Sequence, residues 1–254
     1  MGDDFRFALN RFGDGVTVKI RDELNTYEGY REIIEKREAY IREDLEEIRE
    51  DWSPTRLRDQ YFDLLTDQIS LLKAKYSSGL DPVSLVQDVE SSIAMMEQCW
   101  EAESGYVQMV WILSIGIMLE MDDRCFERLS KLVAGSHLND FLVDFLLRHR
   151  LSSYSKHSPE FAHENPYRAT GEVIAAAQTD KEGAVRRLAK YLTQEWYRGH
   201  SDAGWHGSHK SRPNVHSGYW SFESGALAKI LALDDSSLQD QQYYPYDMVH
   251  WKAG

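Results

Sequence analysis

Side chains that could do chemistry are concentrated in the C-terminal third of the chain, between Tyr191 and Trp251. This stretch holds five of the nine histidines and four of the seven tryptophans. Imidazoles and carboxylates are common ligands of Zn²⁺ and common acid–base groups of hydrolases. The segment therefore carries either the chemistry of this protein or its contact with a partner.

A metal site is one interpretation of the histidines. The spacing His206-x-x-His209 can chelate an ion on a turn, and Asp202 offers a third ligand. With Glu223 as a carboxylate beside them, His206 and His209 would form a metal-dependent hydrolase. Histidines interleaved with Gly, Trp and Lys more often serve as hydrogen-bonding groups, so we expect no metal, no cofactor and no catalytic residues. The hydrolase stays open as the alternative.

Glu223 falls on the apolar face of a predicted helix, at about 100° per residue. The apolar residues of that arc are Tyr219, Phe222, Ala226, Leu227, Ile230 and Leu233. A carboxylate there needs a charged or hydrogen-bonding partner, or a proton. The preceding loop offers His200, His206, His209, Lys210, Arg212 and His216. Glu223 is thus either a structural group that pins this loop by accepting backbone N–H bonds or a catalytic carboxylate beside histidines.

The totals restrict the class of protein. With 254 residues and 42% hydrophobic content, the chain suits one large globular domain or two small ones. A net charge of −13 disfavours direct binding to nucleic acid and favours a basic partner, of which a nucleic-acid-binding protein is one kind. The other interpretation is that the acidic surface only maintains solubility.

The cysteines and the apolar segments predict a cytoplasmic protein with no membrane contact. Cys99 and Cys125 are the only cysteines, and each lies in an apolar helical pattern, as free thiols of a reducing compartment do. No signal peptide is visible after Met1. The most apolar run, Tyr106 to Met121, is too short to span a bilayer and predicts a buried core helix.

The periodicity predicts an all-α, multi-helix bundle with at most a short extended N-terminal arm, residues 1–20. A first helix is expected from about Asp22 to Asp51, with Leu45 in its apolar stripe. Between Glu32 and Asp51 it carries nine acids and four bases, which is either a solvated face or a surface for a basic protein.

Local start signals place the later helices. Ser53-Pro54, Asp81-Pro82 and Asp122-Asp123 each predict a helix start. Further helices are expected over His137 to Arg150 and near residues 168–178, and Thr179-x-x-Glu182 has the pattern of a capping box. We divide the chain into an N-terminal helical region, residues 1–104, and a C-terminal one, residues 105–254, packed as one unit.

The C-terminal motifs resemble the PoNi family, the immunity proteins paired with PoNe-type nuclease toxins. The similar stretches are Trp196-Tyr-Arg-Gly-His200, Trp205, His209-Lys, Gly218-Tyr-Trp-Ser-Phe-Glu223, Ala228-Lys-Ile-Leu231, Leu233-Asp-Asp-Ser-Ser-Leu238, Tyr243-Tyr-Pro-Tyr-Asp247 and His250-Trp251. Tyr106-Val-x-Met-Val-Trp111 and Met121-Asp-Asp123 resemble the start of that family's C-terminal region.

The resemblance implies a bacterial cytoplasmic, all-helical protein without enzymatic activity. It would bind and inhibit a cognate DNA-degrading toxin of interbacterial competition, delivered by contact-dependent routes such as type VI secretion.

Two sets of site residues follow. The residues expected to contact the toxin are acids: Glu43, Glu46, Glu47, Glu50, Asp202, Asp234 and Asp235. The residues expected to hold the motif segment together are Trp196, His200, Trp205, His209, Tyr219, Trp220, Glu223, Tyr244, Tyr246, Asp247 and Trp251.

Overall fold

The computed structural model describes residues 19–49 and 51–252, and all regular secondary structure within these ranges is helical. The predicted all-α class is therefore confirmed. Nearly all of the expected N-terminal arm lies outside the described residues. No helix in the described ranges is long and apolar enough to cross a bilayer.

Five helices occupy the first part of the chain: α1 (Tyr27–Glu47), α2 (Pro54–Ser77), α3 (Val86–Cys99), α4 (Ala102–Met118) and α5 (Asp123–Gly135). The second part contains α6 (Phe141–Arg150), α7 (Glu164–Ala176), α8 (Lys181–Lys190), α9 (Tyr197–Gly199), α10 (Phe222–Leu231) and α11 (Tyr246–Val249). A π-helical segment, Tyr191–Trp196, joins α8 to α9 without a break.

Capping side chains set several of the predicted starts. Ser53 caps α2 by accepting a hydrogen bond from the Arg56 N–H, with Pro54 in the first turn. Asp122 caps α5 in the same way, through the N–H of Arg124.

Four predicted starts need correction. Helix α1 begins at Tyr27 because Thr26 is its N-cap, not near Asp22. Asp81-Pro82 opens a 3₁₀ turn, Pro82–Leu85, before α3. The helix expected from His137 begins at Phe141, after the cap Asp140. Helix α8 is capped by Asp180, which accepts from the Gly183 N–H, and not by Thr179.

Helix α4 forms the centre of the molecule, as its apolar sequence predicted. It packs against α3, α5, α6, α10 and α11, and its residues from Met109 to Met118 are all buried. Helix α2 packs between α1 and α3, while α7 packs along α8. Buried side chains on both sides of Gly105 belong to the same hydrophobic core. The division at residues 104 and 105 stays a prediction.

Candidate functional site: the C-terminal motif cluster and the acidic first helix

Glu223 is fully buried in the first turn of α10. Its Oε1 accepts hydrogen bonds from the Tyr191 hydroxyl (2.9 Å) and the Ser221 hydroxyl (2.7 Å). Burial raises the pKa of Glu223 above its usual value and outweighs these hydrogen bonds, which lower it. The expected partners in the preceding loop need correction: the hydroxyls come from the π-helical segment and from the residue before α10.

The histidines considered in the metal-site interpretation lie beside aromatic rings and hydroxyl groups. His200 is buried, with Nδ1 2.7 Å from the Trp196 carbonyl oxygen and Nε2 2.9 Å from the Tyr167 hydroxyl. The His206 ring stacks on Tyr197 with ring centroids 4.1 Å apart. His209 Nδ1 lies 2.9 Å from the Tyr219 hydroxyl. Each ring is therefore held by aromatic, hydroxyl or carbonyl groups of the protein, and His200 and His206 share the neighbour Trp205.

These placements do not assemble the hydrolase that the sequence left open. Across residues 19–49 and 51–252, no group of three or more His, Cys, Asp or Glu side chains is arranged to hold a metal ion. Glu223 bonds to Tyr191 and Ser221, while His206 and His209 contact Tyr197 and Tyr219. The three residues of the proposed site thus serve three different local contacts.

Asp22 is a junction that the sequence reasoning missed. Its buried Oδ2 lies 3.0 Å from His216 Nε2 and accepts a 3.0 Å hydrogen bond from the Tyr219 N–H. Its Oδ1 accepts a 2.8 Å hydrogen bond from the Leu24 N–H. Burial by itself would raise the pKa of Asp22, but the hydrogen bonds and the His216 charge outweigh it and hold that pKa below its usual value.

His216 also contacts a hydroxyl group, on the side of the ring opposite Asp22. His216 Nδ1 lies 3.0 Å from Ser208 Oγ, so carboxylate, imidazole and hydroxyl stand in series, the order that activates serine nucleophiles. Here the Ser208 Oγ also lies 3.1 Å from the Tyr219 hydroxyl. The series therefore joins the segment before α1, the loop after α9 and the entry to α10 through shared hydrogen bonds.

A buried lysine lies beside the motif tryptophans. Lys73 of α2 is 5% exposed, with its ammonium 4.8 Å from the Trp111 ring centroid and 5.7 Å from that of Trp205. Trp205 in turn stacks on Trp196 at 5.6 Å. Burial lowers the pKa of Lys73 to about 8. Lys73 follows Ile69 by four residues and precedes Tyr76 by three, and this helical spacing is the sequence signal for its burial.

The remaining motif residues connect the C-terminus to the bundle. The Trp220 indole N–H donates to Ser77 Oγ (2.8 Å), and Arg21 donates to Asp247 (2.6 Å). The Tyr246 ring packs on His250 at 4.2 Å between centroids, and the Trp251 carbonyl accepts from Lys229 (3.2 Å). These contacts join the entry of α10 to α2, and they join the chain end to α10 and to the segment before α1.

The acids expected to contact a partner differ in exposure. Glu43, Glu46 and Glu47 on α1 are exposed, and their side chains make no hydrogen bond or ion pair with another described residue. Asp202 is also exposed, while Glu50 lies outside the described residues.

Asp234 and Asp235 are neighbours with opposite placements. Asp234 is exposed and accepts a hydrogen bond from the Ser236 hydroxyl (2.7 Å). Asp235 is 4% exposed, and its two oxygens bond to the Tyr244 hydroxyl (2.6 Å) and to His250 Nε2 (2.9 Å). Because its carboxylate is buried and occupied, we remove Asp235 from the predicted contact surface.

Family comparisons match most of the chain. Residues 21–131 match the model described as PoNe immunity protein (PoNi), N-terminal, and residues 138–248 match PoNe immunity proteins (PoNi), C-terminal. No curated protein matches. Among solved structures, the chain is similar to the crystal structure of protein PA2201 from Pseudomonas aeruginosa, at 18% identity. That match has a TM-score of 0.68 and covers 97% of this chain and 95% of the other, which shows a shared fold.

Proposed function

Because this chain belongs to the PoNi family of PoNe immunity proteins, we propose that it binds and inhibits one cognate nuclease toxin through an acidic surface on α1. Inhibition takes place in the bacterial cytoplasm and protects the cell from a DNase delivered by a competitor, through type VI secretion. The protein acts by binding alone and needs no catalysis of its own.

The observation that carries this proposal is the set of exposed carboxylates of Glu43, Glu46 and Glu47 at the C-terminal end of α1, which form no ion pair with any other described residue. A nuclease must hold the phosphate backbone of DNA, and proteins do so mainly with Arg and Lys. An acidic helix face complements such a basic face, steers the encounter and competes with DNA for the same groups.

The C-terminal motif residues, together with Asp22 and His216, have a supporting role in this proposal. They face one another and the bundle, as Trp196 with Trp205 and Asp22 with His216 do. They maintain the packing that holds α1 and α2 in place, while toxin-specific contacts come from exposed side chains.

The test is a charge reversal of the exposed α1 acids, Glu43→Lys/Glu46→Lys/Glu47→Lys. The binding partner in this assay is the cognate PoNe-type nuclease domain in a catalytically inactive form. We expect the association rate at low salt to fall on the order of tenfold and its salt dependence to flatten, because steering depends on these charges. Stopped-flow fluorescence at several ionic strengths measures both quantities.

A matched control changes the same number of exposed acids away from α1, Glu90→Lys/Glu127→Lys/Glu160→Lys, whose side chains form no ion pair with other described residues. The control variant should keep at least half of the wild-type association rate at low salt. If the α1 variant binds and protects cells like wild type, the acidic face serves only solvation. The contact surface would then be sought in the loop from His200 to His216 and at Asp234.

A further inference from the structure

Leu45 on α1 is placed unexpectedly. The helical stripe predicts it in the core, yet it is 45% exposed. It lies four residues after Ile41 and seven after Glu38, so the three side chains share one face of the helix. This face borders a groove between α1, α2 and α3 with a volume of about 490 Å³.

The floor of this groove is apolar. Ile41 of α1 and Leu71 of α2 are buried beneath it, and Leu45 stands at its edge. A single exposed leucine on a surface is ordinary. Here it continues the apolar floor out to the solvent, so an aliphatic chain that enters the groove can pack on apolar side chains along its length.

The wall of the groove is acidic. Lys75 Nζ lies 3.3 Å from Glu38 Oε1 and 3.1 Å from Asp88 Oδ2, so one ammonium is shared between two carboxylates. Gln68 donates a further 3.0 Å hydrogen bond to Asp88. Glu46, which also lines the groove, has no ion pair with another described residue. The residues that line the groove include three acids, Glu38, Glu46 and Asp88, and two bases, Arg42 and Lys75. The lining therefore carries one more acid than base.

We propose, building on the proposed function, that this groove receives one arginine side chain from the DNA-binding face of the nuclease. The methylene stem packs on Ile41, Leu45 and Leu71, and the guanidinium donates to Glu46 and Glu38. Arginine combines an apolar stem with a planar set of five donors that suits paired carboxylates, whereas lysine presents a compact and strongly hydrated charge.

The consequence is a specific way of inhibiting the enzyme. An arginine seated in this groove is withdrawn from the phosphate backbone, so toxin that is bound to this protein cannot use that group to hold DNA. The exposed acids of α1 accelerate the encounter, and the groove slows dissociation because its charges are partly desolvated.

The test fills the groove with a guanidinium from the protein itself, by Leu45→Arg. The matched control is Tyr40→Arg, an apolar residue of the same helix that is 41% exposed and does not line the groove. Both variants change the net charge equally and keep α1 helical. The probe is the inactive nuclease domain used above, with affinity and dissociation rate measured by surface plasmon resonance and folding checked by thermal melting.

We expect Leu45→Arg to weaken binding at least tenfold, mainly through faster dissociation, and Tyr40→Arg to weaken it less than threefold. Equal effects of the two variants, or wild-type affinity for Leu45→Arg, would contradict the proposal that the groove binds an arginine of the nuclease. Either result would leave the proposed function intact. Failure of the wild-type protein to bind the nuclease would overturn the proposed function itself.

Discussion

Buried carboxylates connect segments of this protein that are distant in sequence. Asp140 accepts hydrogen bonds from the N–H groups of Val143 (2.8 Å) and Ala162 (2.9 Å), and Asp22 joins its loop partner His216. Burial raises the pKa of Asp140 despite those bonds, whereas the pKa of Asp22 is lowered. The direction of each pKa shift depends on whether hydrogen bonds and a nearby positive charge outweigh desolvation of the carboxylate.

Replacing Glu223 by alanine should lower the free energy of unfolding by about 2–4 kcal/mol, because the buried Tyr191 and Ser221 hydroxyls lose their acceptor. The pKa of Glu223 is raised in the folded state, so its contribution is complete below the usual value of 4.5 and declines as the pH rises through the raised pKa. The difference in the free energy of unfolding between wild type and variant should therefore become smaller as the pH rises. Urea denaturation at several pH values measures it.

The same variant also tests whether Glu223 has a functional role. We expect toxin affinity per folded molecule to stay within twofold of wild type. An alanine variant with wild-type stability and no inhibition would instead place Glu223 in the toxin contact.

The loop from His200 to Gly218 is held in place by side-chain hydrogen bonds and not by regular secondary structure. It contains only short turns of helix, such as Ser208–Lys210, and it is ordered by side chains. Asn214 donates to the Gly29 carbonyl of α1 (2.9 Å), and Ser77 of α2 donates to the Ser217 carbonyl (2.9 Å). The loop therefore connects α1 and α2 with the entry to α10.

Asp22→Asn should release this loop. The amide is a weaker acceptor than the carboxylate for the buried donors around it, so we expect the free energy of unfolding to fall by about 1–3 kcal/mol at pH 7. Because the folded pKa of Asp22 is lowered, this contribution is present above the usual value of 3.8 and disappears as the pH falls through the folded pKa. Hydrogen exchange of residues 205–218 should accelerate, while that of α6 should not change.

The control for Asp22→Asn is Asp247→Asn, whose carboxylate is 55% exposed in its pair with Arg21. Exposed ion pairs contribute little, so this variant should cost less than about 1 kcal/mol. Unchanged exchange in the loop of the Asp22→Asn variant would show that hydrogen bonds other than those of Asp22 hold it.

At the scale of the whole molecule, acids have two separate uses. Buried ones, such as Asp22 and Asp235, bond to histidine and tyrosine side chains and hold the chain end and the loop. Exposed ones contribute to the net charge of −13 and are available on α1. The rings of His200, His209 and His216 are also used structurally, since their nitrogens lie beside tyrosine and serine hydroxyls and the Asp22 carboxylate.

The purified protein should therefore carry no stoichiometric transition metal and no hydrolase activity that depends on one. The physical reason is that His206 and His209 are directed to Tyr197 and Tyr219, whereas Glu223 is directed to Tyr191. Elemental analysis by mass spectrometry measures the content. One zinc or manganese per chain, lost in the His206→Ala/His209→Ala variant, would revive the hydrolase.

The sequence by itself determined the features that depend on a few neighbouring residues. Ser53-Pro54 and Asp122 set helix starts, since a cap bonds to an N–H two or three residues away. The apolar run of α4 established its burial, and the motifs at the C-terminus established the family, since both are local patterns of residue types. The same local rules missed the cap of α8, where Thr179 and Asp180 compete.

Only the tertiary structure decided which side chains from distant parts of the chain contact one another. Asp22 and His216 are 194 residues apart, so no spacing in the sequence relates them. Burial separates Asp235 from its neighbour Asp234, and the packing of α1 on α2 leaves Leu45 exposed beside a groove. Burial, pKa direction and the shape of a surface depend on what the rest of the fold places nearby, which periodicity along one helix does not specify.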